Sequence, residues 1–319
     1  MAARPRIDVH HHFVPPSYKD ALAAMGAACP PPGFQAPLRD WTEARSLEEM
    51  DRADIATAMI SITTPGIHFG DDGRARRLAR ECNVAGARMM ADHPERFGLF
   101  AALPLPDIAA SLDEISFALD QLHADGIGLY TNYGAKWLGH QDLDPILAEL
   151  DRRRAVAFVH PTAAPCCCGL QPEFNEAVIE YGTDTTRTLA SLLFSGAARR
   201  YAKIQFIFCH AGGTMPFLIE RFLNEAKRPS SARNVPEGVM HELRRFHYDI
   251  AQTVNPAPIG CLQEIMPASQ ILFGTDYPYG AGCVAHVAAL AQCAFTADEL
   301  AGIELANALR LFPRLKYGV

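Results

Sequence analysis

Three histidines and one aspartate in this chain of 319 residues have the residue types and spacing of a metal site. His10 and His12 are two positions apart, which places both imidazoles on one face of an extended chain. The pair alone is equally consistent with a local polar cluster, but His160 and Asp276 stand at the ends of two further apolar runs. Imidazole nitrogens with a carboxylate oxygen suit Zn²⁺, with Mn²⁺ and Fe²⁺ as alternatives. We therefore predict a divalent metal, with zinc favoured, at these four residues.

Two further residues are placed to assist such a site. His210 ends an apolar run and is followed by two glycines, which permit close backbone approach and begin a predicted helix whose N-terminus favours an anion. We expect His210 to be catalytic because it shares the mouth of the site, the alternative being a histidine that caps the helix. Asp8 is expected to share the face of His10 and His12 and to orient one of them through its second ring nitrogen.

Candidate substrate contacts lie in segments that follow the predicted strands or border the site. They are His68, Phe13, Asn132, Tyr133 and Arg221. A guanidinium engages a carboxylate through two parallel hydrogen bonds, so Arg221 and Arg52 are both candidate partners of an acidic substrate. For Arg52 a solvated helix face is the better interpretation. For His68 a loop histidine in water is an equally good one.

Eight short apolar runs alternate with longer segments and must position these side chains. They cover residues 6–10, 56–62, 97–103, 126–131, 155–160, 204–210, 246–250 and 270–275. Nearly continuous apolar runs are typical of parallel strands covered on both faces. The segment 111–124 between two of them carries a helical apolar stripe, and Ser111 with Glu114 forms a capping-box pattern. The alternation predicts an α/β fold, a (β/α)8 TIM barrel, with an open doubly wound sheet as the alternative.

In a parallel barrel the carboxyl ends of all strands meet at one mouth, where the active site lies. The candidate histidines and Asp276 fall repeatedly at such ends, which is why we expect them to meet. We predict a single domain over residues 1–319 with a proline-rich surface insertion at about residues 27–40.

Composition and charge exclude several classes of protein. The net charge of −7 and the pI of about 5.9 do not favour a nucleic acid or an anionic membrane as partner. No apolar run approaches the roughly 20 residues of a membrane helix, and the N-terminus lacks a signal-peptide core, so we expect a cytoplasmic protein. The nine cysteines are expected to be reduced thiols, and Cys166-Cys167-Cys168 lacks the spaced pairs of a structural zinc site. No phosphate-loop pattern occurs, so no nucleotide cofactor is expected.

Six motifs along the chain resemble the amidohydrolase superfamily. They are IDVHHHFVPP, SITTPGIHFGDD, LYTNYGAKWLG, FVHPT, CHAGGTMPFLIERF and LFGTDYPY, and they extend from residue 7 to about residue 280. The resemblance is to the branch that contains 2-amino-3-carboxymuconate-6-semialdehyde decarboxylase, γ-resorcylate decarboxylase and 6-methylsalicylate decarboxylase, and within it to the last subgroup.

The resemblance implies a role for each candidate residue. It makes His10, His12, His160 and Asp276 the metal ligands, with Asp276 also exchanging a proton with the substrate, and it makes His210 a catalytic residue. Relatives with two metals carry a lysine after the fourth strand, which this chain lacks there, so one metal is expected. In some relatives a carboxylate at the position of Asp8 ligates the metal directly. The relatives are often homo-oligomers, dimers or tetramers.

The implied reaction is non-oxidative decarboxylation of a small aromatic or conjugated carboxylic acid with a neighbouring hydroxyl, a salicylate-type compound. The same ligands would also support hydrolysis of an ester, lactone or amide by metal-activated water, which is the alternative. A barrel that binds a small acid without converting it is a third hypothesis, disfavoured because all four expected ligands are present.

Overall fold

Eight parallel strands form the centre of the molecule. The computed structural model describes residues 5–25, 37–171 and 173–317. The strands are β1 (Arg6–His12), β2 (Ile55–Ser61), β3 (Phe97–Ala102), β4 (Gly126–Tyr130), β5 (Val156–His160), β6 (Gln205–Phe208), β7 (His247–Asp249) and β8 (Ile271–Leu272). Each strand pairs in parallel with its neighbour in chain order. Each apolar run thus coincides with one strand, and the predicted (β/α)8 barrel is confirmed.

The last strand returns to the first and closes the barrel. The Val9 N–H donates to the carbonyl of Phe273 at 2.9 Å, and the Asp276 N–H donates to the carbonyl of His10 at 2.8 Å. Because these bonds join the two edges of the sheet, the open doubly wound alternative is excluded. They also connect Val9 and His10 to the segment that carries Asp276.

Helices alternate with the strands along the chain. They are α1 (Pro16–Ala24), α2 (Glu43–Arg52), α3 (Asp72–Asp92), α4 (Ile108–Asp120), α5 (Asp144–Arg153), α6 (Glu180–Phe194), α7 (Ala197–Arg200), α8 (Ile219–Glu225), α9 (Pro229–Ala232), α10 (Val239–Leu243), α11 (Pro256–Gln263), α12 (Cys283–Leu290), α13 (Ala297–Ala301) and α14 (Asn307–Leu311). Asp107 caps α4 by accepting the Ala110 N–H, so the predicted capping box of Ser111 and Glu114 is wrong. Both residues lie inside α4 and are buried there.

Two buried apolar layers form on the two faces of the strands. The inner layer consists of Ile7, Val9, Met59, Phe100, Val156, Phe158, Ile207, Cys209 and Leu272, together with Ala308, Phe312 and Leu315 from the C-terminal segment. Its strand members alternate along β1, β5 and β6, as expected of side chains that fill a barrel. Phe158 makes an edge-on contact with the ring of His10 at 5.1 Å between centroids. The inner core therefore supports the proposed metal site from below.

The predicted insertion at about residues 27–40 lies largely outside the described residues, since the description resumes at residue 37. Residues 37–40 are helical. Among the helices that are described, none has the length and apolar character needed to span a bilayer.

Candidate active site

The four predicted metal ligands meet at the carboxyl end of the barrel. Asp276 Oδ1 lies 3.1 Å from His10 Nε2 and 3.0 Å from His12 Nε2. The two Nε2 atoms are 3.2 Å from each other. One ligand atom from each of His10, His12, His160 and Asp276 falls within 4.8 Å of all the others, and all four residues are buried. Residues that are far apart in the sequence therefore present three nitrogens and one oxygen to a common point.

The second nitrogen of each ring faces a hydrogen-bond acceptor. The acceptors are Asp249 Oδ2 for His10 at 2.9 Å, Ser61 Oγ for His12 at 3.1 Å and the carbonyl of Pro161 for His160 at 2.8 Å. A carbonyl oxygen can only accept, so the Nδ1 of His160 must carry the hydrogen. Contacts with His10 and His210 outweigh burial and lower the pKa of Asp249, which therefore accepts from His10 as a carboxylate. These contacts leave the Nε2 lone pairs directed at the common point.

This arrangement fits a cation. Two lone pairs that face each other at 3.2 Å repel unless a positive charge lies between them. Burial lowers the pKa of His12 and lowers that of His160 well below its usual value, so both rings stay neutral and able to ligate. Burial opposes ionisation of Asp276, but His10 and His12 hold its pKa well below the usual value. For His10, burial alone would lower the pKa. The neighbouring Cys209, Asp249 and Asp276 outweigh burial and raise the pKa well above its usual value, so positive charge is favoured at this position.

A bulge in β1 directs both His10 and His12 inward. The register between β1 and β2 shifts by one residue between Asp8 and His11. Val9 faces the inner core below the bulge, and after the extra residue His10 and His12 occupy that same side. The regular strand that the sequence suggested would have kept Asp8 on this side as well.

Asp8 instead belongs to a separate buried network. Its carboxylate accepts hydrogen bonds from Thr275 Oγ1 at 2.6 Å, from His11 Nδ1 at 3.0 Å and from the backbone N–H of His10 at 3.0 Å. The prediction that Asp8 shares the face of the ligands and orients a ligand ring is therefore wrong, because the bulge turns it away. Asp249 makes the ring contact that was expected of Asp8.

His210 lies beside the ligand cluster at the end of β6. Its Nε2 is 3.6 Å from Asp276 Oδ2, and its backbone N–H donates to Asp249 Oδ1 at 3.0 Å. His210 and Ala211 both adopt left-handed backbone conformations, with φ of 55° and 56°. Non-glycine residues in this region carry strain that is often found at functional sites. The predicted helix does not begin at the glycines, because a 3-10 turn, His210–Gly212, comes first and α8 starts only at Ile219.

A cavity of about 510 Å³ opens directly above the cluster. His160, His210 and Asp276 line it, together with Thr63 and Tyr279. Its size is in the range that holds a small organic ligand. Among the described residues that line it there is no lysine or arginine. The charge of an acidic ligand would therefore be met by a cation at the cluster, by His210 and by uncharged donors.

The five predicted substrate contacts lie outside the cavity above the cluster. His68, Asn132 and Tyr133 line a neighbouring cavity of about 360 Å³, and the Nε2 of His68 is 2.8 Å from Asp72 Oδ1. Phe13 is buried in the apolar core. Arg221 is exposed on α8 and does not line the cavity above the cluster. The structure thus brings none of these five side chains to that cavity.

Sequence reasoning assigned no role to several side chains that the structure places at the site. They are Asp249, Ser61, Thr63, Tyr181, Gln252 and Tyr279. The sequence does place Asp249 at the end of a strand, and hence at the same mouth as the ligands, but it does not indicate which ring this carboxylate contacts. The others lie at or beyond the strand ends, mostly in loops and helices, where no periodic pattern marks the residues that point into a cavity.

Comparison with known proteins identifies the family of this chain. The model of the amidohydrolase family matches residues 7–314. The chain belongs to the amidohydrolase family. A 6-methylsalicylic acid decarboxylase from Aspergillus aculeatus is 36% identical, with 98% of this chain and 97% of that protein covered. A 6-methylsalicylic acid decarboxylase from Penicillium expansum is 35% identical, over 98% of this chain and 97% of its own.

A solved structure shares the fold of this amidohydrolase. It is a dihydroxybenzoic acid decarboxylase from Polaromonas sp. JS666 with bound manganese and the inhibitor 2-nitroresorcinol. Its TM-score is 0.82 at 20% sequence identity, and the match covers 99% of this chain and 98% of the other. In this amidohydrolase, the cluster of His10, His12, His160 and Asp276 has the ligand atoms to hold a divalent metal.

Proposed function

We propose that this amidohydrolase is a metal-dependent, non-oxidative decarboxylase of a small aromatic or conjugated acid with a neighbouring hydroxyl. The observation that carries the proposal is the cluster of three imidazoles and one carboxylate at the base of a cavity large enough for a small organic acid. The similarity to 6-methylsalicylic acid decarboxylases over nearly the whole chain supports a salicylate-type substrate.

His10, His12, His160 and Asp276 would hold one divalent cation, and the nitrogen-rich set favours zinc, with manganese as the alternative. When bound, such a cation would orient the carboxylate and the ortho oxygen of the substrate and withdraw electron density from them. No second cation is expected, since β4 is followed by Thr131 and Asn132, without a lysine.

The two carboxylate oxygens of Asp276 face different groups and have different proposed roles. Oδ1 faces the ring nitrogens of His10 and His12, whereas Oδ2 faces His210. As a carboxylate, Asp276 takes the proton of the substrate hydroxyl and delivers it to the ring carbon that bears the carboxylate. A new C–H bond forms there, the C–C bond breaks, its electron pair restores the aromatic ring, and CO2 leaves. His210 stabilises the charge that develops beside Asp276, and one proton from solvent balances the reaction.

The activity is tested by incubating the metal-loaded protein with a panel of hydroxybenzoates, including 6-methylsalicylate, and with a matched panel of esters and lactones. We expect CO2 release and a change of ring absorbance with ortho-hydroxy acids, and no turnover of their meta isomers. Asp276→Asn should abolish turnover, because the amide cannot carry the proton. Activity confined to esters or lactones would overturn the proposal in favour of a hydrolase.

We also propose that the chain is one domain, acts as a homo-oligomer and is cytoplasmic. Several large apolar side chains that the structure leaves exposed support self-association, since apolar surface patches often mark protein–protein contacts. The described ones are Leu170, Phe174, Val178, Ile179, Phe217 and Val284. Most of them lie in the segments after β5 and β6, and a dimer or tetramer would cover them.

A further inference from the structure

The hydroxyl of Thr63 is buried in the cavity wall and lacks a well-formed hydrogen bond to the part of the chain that the structure describes. Thr63 is fully buried and lines the cavity above the ligand cluster. Its Oγ1 makes no hydrogen bond to the described residues, although the phenol of Tyr279 lies near enough to interact with it. An unsatisfied buried hydroxyl is destabilising, so such a group in a cavity indicates a partner that arrives with a ligand.

The backbone of Thr63 is held firmly in place. Its carbonyl accepts hydrogen bonds from the hydroxyls of Tyr18 at 2.9 Å and Tyr130 at 2.8 Å, and from the N–H of Gly66 at 3.0 Å. These three hydrogen bonds hold the backbone in place, while the hydroxyl can rotate about its own bond. Thr63 thus offers a preorganised donor at little further entropic cost.

The neighbours of Thr63 in the chain contact the ligand histidines. Ser61 accepts from His12, and Thr64 Oγ1 donates to the carbonyl of Pro161, the same atom that accepts from His160. Thr63 therefore belongs to the segment that contacts the rings of two ligands. It lines the same cavity as His160, His210 and Asp276.

Two other hydroxyls of this wall are already engaged. The hydroxyl of Thr214 bonds to that of Thr186, and the hydroxyl of Thr253 donates to the carbonyl of Ile250. The described lining contains no lysine or arginine. An uncharged donor in the wall can therefore complete the hydrogen bonding of a substrate carboxylate beside a cation.

We infer that Thr63 is a substrate-binding residue whose hydroxyl donates a hydrogen bond to the substrate carboxylate. The inference rests on the proposed decarboxylase function. It assigns Thr63 a role in choosing acids over uncharged phenols and in fixing the orientation of the carboxyl group before the C–C bond breaks.

The test compares Thr63→Val, which keeps the shape and removes the hydroxyl, with Thr63→Ser, which keeps the hydroxyl. Loss of a hydrogen bond to a charged group should reduce kcat/KM for an ortho-hydroxybenzoate by about 10- to 100-fold in Thr63→Val. Thr63→Ser should restore most of that loss. Thr183→Val is the matched control, because its hydroxyl bonds to its own helix at Ile179 and it does not line the cavity.

A binding measurement separates this role from a purely structural one. Titration calorimetry with an ortho-nitrophenol, an inert stand-in for the hydroxy acid, should show weaker binding to Thr63→Val than to the parent. Metal content should be unchanged, and the melting temperature equal or higher, because an unsatisfied buried hydroxyl has been removed. Equal affinity and equal kcat/KM in Thr63→Val would overturn the inference. If the parent protein is inactive on every hydroxy acid, the proposed function is overturned instead. The control reactions with esters and lactones then show whether the protein is a hydrolase.

Discussion

The orientation of the His10 ring depends on one buried carboxylate, that of Asp249. Its Oδ2 accepts from His10 Nδ1, and its Oδ1 accepts the backbone N–H of His210. A single side chain therefore contacts both a proposed metal ligand and the loop that carries the proposed catalytic histidine. Partners of this kind fix the tautomer of a ligand and raise its basicity.

Asp249→Asn should weaken metal binding by about 10- to 100-fold, because a neutral amide is a poorer partner for the Nδ1 hydrogen. Competition against a chromogenic chelator measures this affinity. Asp142→Asn is the control, since Asp142 is half exposed and pairs with Lys136 on the surface. Unchanged metal affinity in Asp249→Asn would show that the ring contact is irrelevant to the site.

Spacing and position in the strands were enough to select the four clustered residues from the sequence. The partners of their rings were not predictable in the same way, because Asp249 meets His10 only through the closed barrel. None of the five candidate substrate contacts lines the cavity above the cluster. His68 and Arg221 were chosen for their chemistry, but their positions depend on loops and helix starts that periodicity does not describe.

The approach of β1 and β7 to the segment after β8 requires a glycine. A Cβ on Gly274 would lie 2.9 Å from the Cβ of His10 and 3.1 Å from that of Asp249. Both distances are shorter than comfortable carbon–carbon contacts, so any side chain there must push one of these residues aside. Close backbone packing at Gly274 therefore keeps His10 and Asp249 in position at the proposed metal site.

Gly274→Ala should lower both metal affinity and melting temperature, as measured by chelator competition and thermal unfolding. Gly260→Ala is the control, because Gly260 lies in α11 with open space around its Cα. There alanine should stabilise the helix by about 0.5–1 kcal/mol without affecting the metal. Parent-like metal affinity in Gly274→Ala would mean that the strand spacing does not position His10.

The strands were predictable from the sequence because burial on both faces requires mostly apolar residues. All eight strands coincide with nearly continuous apolar runs, since parallel strands are covered on both faces. The bulge in β1 was not predictable, because it is a mismatch in register with β2 that leaves no trace in the pattern of β1 itself. For this reason the side of the strand occupied by Asp8 was predicted wrongly.

Closure of the barrel gives the whole molecule one mouth, at which β1, β5 and the segment after β8 deliver their ligands together. The fold followed from the alternation of apolar runs and helical segments. The cavity did not, because segments after β2, β5, β6, β7 and β8 enclose it and their paths depend on tertiary contacts. The barrel therefore positions the proposed metal ligands, whereas the loops that follow its strands determine which substrate fits the cavity.

Anomalous diffraction from crystals of the metal-loaded protein, collected at the zinc and manganese edges, tests the central claim most directly. The account predicts a single peak within coordination distance of His10 Nε2, His12 Nε2, His160 Nε2 and a carboxylate oxygen of Asp276, and its loss in a His160→Ala crystal. A peak at the cluster of Asp8, His11 and Cys283 instead, or no ordered ion in metal-loaded crystals, would contradict it.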